Sequence, residues 1–261
     1  MTKNTFEDEE IRKIQFSGKS SYVLALPKKW VEEMGLSSGD QVIISRQSSN
    51  SLNITPKNTA LPMSKNEVWI GATSKDSANT LTRKIISAYL LGYNVIDVVS
   101  KGGSLTPSQR TTIKEDVRRR LVGAEVIADS TQEIIIQVLI SFSELSVESA
   151  LRRMFLIAAS MHRDSMNAFR QLDFDLAKSV TNTDDEVDRF NLYIVRQLKM
   201  AVQNDRILKE IGLTSPRDCL GYRLIVKSVE RVADHASKIA QETQLIKKPL
   251  NKVIISLIKN E

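Results

Sequence analysis

Cysteine is nearly absent from this chain. Cys219 is the single one in 261 residues, which excludes an internal disulfide and any cysteine-rich zinc site. Histidine is almost as scarce, with only His162 and His235, so nucleophile and base arrangements have few candidates and an enzyme is not expected. No apolar run approaches the roughly 20 residues that cross a bilayer, and the longest, Ile134 to Ile140, has the length of a strand. Met1 to Glu10 is polar and acidic, unlike a secretory leader, so a cytoplasmic protein without a transmembrane segment is expected. What is present is ordinary for a globular chain of two or three domains: 41% hydrophobic and 26% charged residues. A net charge of +6 fits an anionic partner.

The densest local signal is Leu26 to Ser45. Tyr22 to Leu26 is an apolar, β-branched and aromatic run, and Pro27 then suits the first position of a helix. Trp30, Val31 and Met34 recur at helical spacing, Gly35 stands where a left-handed residue ends a helix, and Ser38-Gly39-Asp40 is turn chemistry before the strand Gln41 to Ser45. Ile11 to Phe16 and Ser51 to Thr55 supply two more strands. So few elements bury too little apolar surface to stand alone, and with no cysteine among them a partner chain is implied.

Between Ile11 and Lys57 the bases Arg12, Lys13, Lys19, Lys28, Lys29, Arg46 and Lys57 outnumber Glu32, Glu33 and Asp40. Two readings stand: these bases face DNA phosphates, or Lys28 and Lys29 merely solvate the start of a short helix. The string Leu26-Pro27-Lys28-Lys29-Trp30 followed by Gly35-Leu36, Gly39-Asp40 and Val42 resembles the AbrB-type (SpoVT/AbrB, MazE-like) family. That resemblance implies a swapped-hairpin β-barrel interlaced by two chains and bound to DNA. The chain departs from the pattern at Ser20-Ser21-Tyr22-Val23, where many relatives carry a Gly-Arg pair.

Residues 58–66 read as a linker containing Pro62, and a small α/β sandwich is expected over 67–142. Its strands are Val68 to Ala72, Val95 to Val99, Glu125 to Ala128 and Glu133 to Leu139. Its helices are Asn79 to Leu91, with Leu81, Ile85, Ala88 and Leu91 inward, and one opening at the capping box Thr106-Pro107-Ser108-Gln109. Gly102-Gly103 is no phosphate loop, because no Gly-Lys-Ser/Thr follows it into a helix.

From 146 to 261 the pattern is helical. Val147, Leu151, Met154, Ala158, Met161, Ser165, Ala168 and Leu172 step by 4 and 3, the seam of a long antiparallel bundle. Asp173 caps a second helix to about Asn204, with Val180, Val187, Asn191, Ile194, Leu198 and Ala201 inward. Ser215-Pro216 starts a third with Ile225, Val229, Val232, Ala236 and Ile239 inward; Pro249 ends it, and Val253 to Ile258 is a shorter apolar segment. The fold class is therefore multidomain α+β: a strand-rich head over 1–57, the sandwich, and the bundle.

Two carboxylate pairs, Asp184 with Asp188 and Glu230 with Asp234, are each four apart and so share a helix face. Like charges at that spacing cost an isolated helix about 0.2 to 0.5 kcal/mol. Either nearby bases such as Lys227 and Arg231 neutralise a solvated face, or the pairs meet across a helix interface and hold a cation. Hard oxygen ligands suit magnesium, manganese or iron, divalent or trivalent. Asp185, Glu186 and His235 are additional candidate ligands, and His162 a weaker one. Asp184-x-x-x-Asp188 and Glu230-Arg231-Val232-Ala233-Asp234-His235-Ala236 resemble the acidic motifs of PhoU-type phosphate-uptake regulators. The resemblance spans about 147–244 and implies a metal-binding three-helix bundle. PhoU proteins usually carry two bundle repeats and this chain shows one, so a homodimer would supply the second. An AbrB-like head on a PhoU-like tail resembles archaeal regulators of phosphate uptake. The combination implies a dimeric DNA-binding regulator; the alternative is an accessory protein docking on a phosphate ABC transporter or sensor, its barrel used only for dimerisation.

Overall fold

A computed structural model describes residues 10–18, 20–46, 51–57, 67–140 and 145–246. The chain divides into two compact units, 1–64 and 65–261.

In the first unit, β1 (Gln15–Ser17) and β2 (Ser21–Val23) form a short antiparallel hairpin. Phe16 lies opposite Tyr22, and their rings meet edge to face at 5.2 Å. The turn between them holds Gly18 at φ 70°, a conformation glycine adopts without a Cβ clash. Helix α1 (Lys28–Glu33) follows, with Pro27 as its N-cap residue, one position earlier than the first helical position expected of it. Gly35 at φ 67° ends that helix as its spacing predicts. β3 (Val42–Arg46) and β4 (Leu52–Pro56) make a second antiparallel pair. The two pairs remain separate sheets. Among the described residues of this unit only Pro27 is buried, while Phe16, Tyr22, Val23, Ile43 and Ile44 are exposed. Among the described residues these two pairs do not close into a barrel.

The second unit begins with a four-stranded sheet. Its strands are β5 (Glu67–Ala72), β6 (Val95–Ser100), β7 (Ala124–Asp129) and β8 (Glu133–Val138), in the order β5-β6-β8-β7. β5 and β6 are parallel and the other pairings antiparallel, with a bulge between Val126 and Ala128. α2 (Ala78–Leu90) is capped by Ser77, and α3 (Pro107–Arg120) opens with the complete Thr106/Gln109 capping box and Pro107 at its start. The two helices bury Leu81, Ile85, Tyr89, Ile113 and Val117 with Ile96, Val98, Ile134 and Ile136 of the sheet. Leu91, expected inward, is exposed because it is the C-cap residue of α2, where the helical stripe has already turned away.

The remainder of this unit is a helical bundle: α4 (Val147–Gln171), α5 (Phe174–Gln203), α6 (Asp205–Glu210) and α7 (Pro216–Gln244). Leu172 at φ 55° and the Asp173 cap reverse the chain between α4 and α5. The α4 seam is buried as its spacing predicts, from Val147 through Met154, Ala158, Met161 and Ser165 to Ala168. On α7 Val229 and Ala236 are buried as their spacing predicts, and the rest of the stripe is shifted by one position. The core takes Val226, Val229, Ala233, Ala236 and Ala240, whereas Ile225 and Val232 are exposed. α7 carries two parallel apolar stripes, and the one with small side chains lets three long helices approach closely, so the larger residues are left outside. Val253 to Ile258 and the linker 58–66 lie outside the described residues.

One side chain ties the sheet layer to the bundle. Arg196 on α5 is 3% exposed and donates to the backbone carbonyls of Tyr89 and Gly92 and to Asn94 Oδ1 at 2.9 Å, with its guanidinium 4.7 Å over the Tyr89 ring. Tyr89 in turn donates its hydroxyl to the Val122 carbonyl at 3.0 Å.

Candidate metal centre and nucleic-acid interface

α5 and α7 bring the two carboxylate pairs face to face. One oxygen each from Asp188, Glu230 and Asp234 lie within 4.8 Å of one another. Asp184, one turn before Asp188, adds to the same field, since the charges of Asp234 and Glu230 act on it. The Asp188 carboxyl is pushed up to about 6, first by burial and then by the charges of Asp184, Asp234 and Glu230. Burial likewise raises Asp184, partly offset by the nearby Ser237 hydroxyl, although Ser237 Oγ forms no well-aligned hydrogen bond among the described residues. Asp234 is raised by burial and by Glu230, against the pull of Lys227, His235 and Arg231.

The local bases offset this cluster in part, through Lys227 on Glu230 and through Lys227, His235 and Arg231 on Asp234. Lys227 pairs with Glu230, but the carboxyls of Asp184, Asp188 and Asp234 all remain shifted toward their protonated forms. Carboxylates that the fold crowds together and that bases match only in part are a place where a bound cation gains. The donors are all oxygen, the set that magnesium, manganese and iron accept. The other sequence candidates lie apart. Asp185 pairs with Arg119 of α3 at 3.4 Å, Glu186 is exposed and outside the cluster, and His235 acts on Asp234 only through its charge. His162 lines a groove between α4 and α7. Ser237 and Arg119 carried no recognisable signal, because a serine on a helix and one arginine of the run Arg118 to Arg120 are both commonplace.

In the first unit the candidate DNA-facing bases are exposed and scattered. Arg12 pairs with Glu10, Lys28 with Glu32 at 3.5 Å and Lys29 with Glu33 at 3.9 Å. Such exposed pairs contribute about 0 to 1 kcal/mol, so they are easily exchanged for phosphate contacts. Lys13 and Arg46 are exposed, and Lys19 lies outside the described residues. Lys57 donates to Gln41 Oε1 at 2.6 Å across the β3–β4 pair.

Comparison with known families meets this geometry in both units. Residues 151–243 match the model of the PhoU domain, and residues 15–61 match that of the antidote-toxin recognition MazE bacterial antitoxin. The chain joins a MazE-type region to a PhoU domain. All four clustered carboxylates fall inside the PhoU match, and Lys19, Lys28, Lys29 and Arg46 fall inside the MazE-type match. Both families are regulatory or accessory, one linked to DNA-binding regulation and the other to phosphate homeostasis. No curated protein and no solved structure matches the chain. No helix among the described residues is long and apolar enough to cross a membrane.

Proposed function

We propose that this protein is a dimeric, DNA-binding transcriptional regulator of phosphate uptake whose PhoU domain holds a metal ion and relays phosphate status. The observation that carries the reading is the joining of a MazE-type region, which leaves its apolar side chains uncovered, to a PhoU domain with converging carboxylates. In this reading two heads (1–57) interlace into the swapped-hairpin barrel, and the linker 58–66 leads to the α/β layer (67–142) and the bundle (146–261).

Asp184, Asp188, Glu230 and Asp234 are the residues that would hold the cation. A bound cation supplies positive charge at the α5–α7 interface and a point where an anion can attach. The bundle then carries two states, with and without the signal, and the signal acts on DNA only through a difference in its affinity for the two geometries of the linked heads. Arg12, Lys13, Lys19, Lys28, Lys29 and Arg46 face the phosphates. The protein acts in the cytoplasm, where its DNA is, and catalyses no reaction.

The test is binding of the full chain to duplex DNA from upstream of its own coding region. The metal-loaded and chelator-stripped forms are compared, with and without inorganic phosphate. The proposal expects salt-dependent binding whose affinity changes with metal. The pairing of Lys28 and Lys29 with glutamates of their own helix favours a second reading, an accessory protein docking on a phosphate transporter or sensor with a barrel that only dimerises. Absence of DNA binding at low salt, with transporter or sensor binding intact, would decide for that reading.

A further inference from the structure

The displaced stripe of α7 leaves a groove. α4 and α7 run side by side in the same direction, and between them a cavity of about 740 Å³ is lined by Phe155, Ala159, Ile225 and Val232 among others. A second cavity of about 270 Å³, lined by Met166, Phe169 and Ile239, continues along the same two helices. On α4 the groove residues 155, 159, 162, 166 and 169 step by 4, 3, 4 and 3, a second seam parallel to the buried one. The groove is open, since Phe155 is 58% and Leu224 71% exposed. Among the described residues, α4 and α7 thus frame a groove of the shape that an amphipathic helix fills with apolar residues at i, i+3, i+4 and i+7.

The rim decides which helix. Exposed Arg152, Arg163 and Arg170 form one row along the outer edge of α4, and Arg231, His235 and Lys238 stand along the outer edge of α7. Among the described residues Glu242 is the only acidic one lining either cavity, and it pairs with Lys238 at 2.9 Å. Charge complementarity therefore asks for an acidic occupant. A second copy of this face would set arginine rows against each other. The chain's own apolar segment around Val253 to Ile258 is flanked by Lys247, Lys248, Lys252 and Lys259, which meet the same repulsion. A flat lipid surface would touch the rims and leave the concave floor unfilled.

We propose that the α4–α7 groove is a docking site for an acidic amphipathic helix of a partner protein. None of the clustered carboxylates lines the groove, although Arg231 and His235 of its rim also act on Asp234, and the docking does not depend on that cluster binding metal.

The test uses the full chain and a labelled synthetic helical peptide with leucine at i, i+3, i+4, i+7 and i+11 between glutamates, read by fluorescence anisotropy. Controls are a scrambled peptide of identical composition and one with lysine in place of glutamate. The acidic peptide should bind at least about tenfold more tightly than either control, and Phe155→Asp, at an exposed position, should remove that advantage. Arg152→Glu with Arg163→Glu should invert the preference toward the lysine peptide, a reversal that damage to the fold would not produce. Circular dichroism checks each variant, and Leu224→Asp serves if Phe155→Asp unfolds. Equal binding of scrambled and ordered peptides, or binding that survives Phe155→Asp, would overturn the proposal. So would three other outcomes: self-association abolished by Phe155→Asp, tight binding to phosphatidylglycerol vesicles without peptide binding, or peptide binding that appears only after Ile254→Asp frees the groove from the chain's own segment.

Discussion

The two units of this chain solve the problem of burial in opposite ways. The helical bundle with its sheet layer buries its own seams, from Val147 to Ala168 on α4 and from Val226 to Ala240 on α7. The MazE-type unit has strands of three to five residues whose Phe16, Tyr22, Ile43 and Ile44 side chains lie open. An equal degree of exposure therefore means different things in the two places. In the bundle it lines a groove beside a buried core, and in the head, under the proposed dimer, it is the surface that a second chain covers.

The largest effect that sharpens this contrast is expected at Arg196. Arg196→Ala strips a buried donor from the Tyr89 and Gly92 carbonyls and from Asn94, and should cost about 3 to 5 kcal/mol, measured by denaturant unfolding. A loss below about 1 kcal/mol would mean that the sheet layer does not depend on this anchor. Next is Ile44→Asp in the head. Although Ile44 is 61% exposed in one chain, the substitution should weaken the dimer by about 2 to 3 kcal/mol in sedimentation. Leu245→Asp, at 69% exposure beside the end of α7, should stay within about 0.5 kcal/mol. Equal costs at the two positions would break the comparison.

A smaller effect belongs to pH. Asp188 titrates at about 6 in the fold and near its ordinary value, about 4, in the unfolded chain, so the native state binds its proton more tightly. Its contribution is thus least unfavourable below about pH 4, worsens as pH rises to 6, and is a constant penalty above that. Metal-free Asp188→Asn should therefore be more stable than the wild type at pH 7, by about 1 to 2 kcal/mol after allowance for partial exposure, and the gap should close toward pH 4. A gap independent of pH would remove the charge explanation. The smallest effect is that of Lys28→Ala with Lys29→Ala, which should make the log–log salt slope of DNA binding about two units shallower per chain while leaving the fold intact. An unchanged slope would leave those lysines as solvated ends of α1.

Much of this was legible in the residues. Capping chemistry at Thr106, Asp173 and Ser215 and the 4-3 seam of α4 are local rules, and they marked those helix starts and that buried face. The two carboxylate pairs were legible as faces of single helices, because spacing of four is a helical property. Their meeting was legible only as one of two readings, because it depends on how α5 and α7 are rotated, and on α7 the inward face is shifted by one position at Ile225, Val232 and Ile239 though not at Val229 and Ala236. Ile225 and Val232 outweigh Ala233 on any hydrophobic scale, yet close approach of three long helices favours the alanine. Arg196 was passed over because its partners are backbone carbonyls about a hundred residues away, which no local pattern reveals.

Whether the α5–α7 carboxylates hold a metal is decided by the metal content of the protein. The full chain, purified without an affinity tag, would be compared by elemental analysis with Asp188→Asn plus Asp234→Asn at matched circular dichroism. The account predicts stoichiometric metal in the wild type and its loss in the double variant. A folded wild type free of metal, and taking up none of added magnesium, manganese or iron, would contradict it.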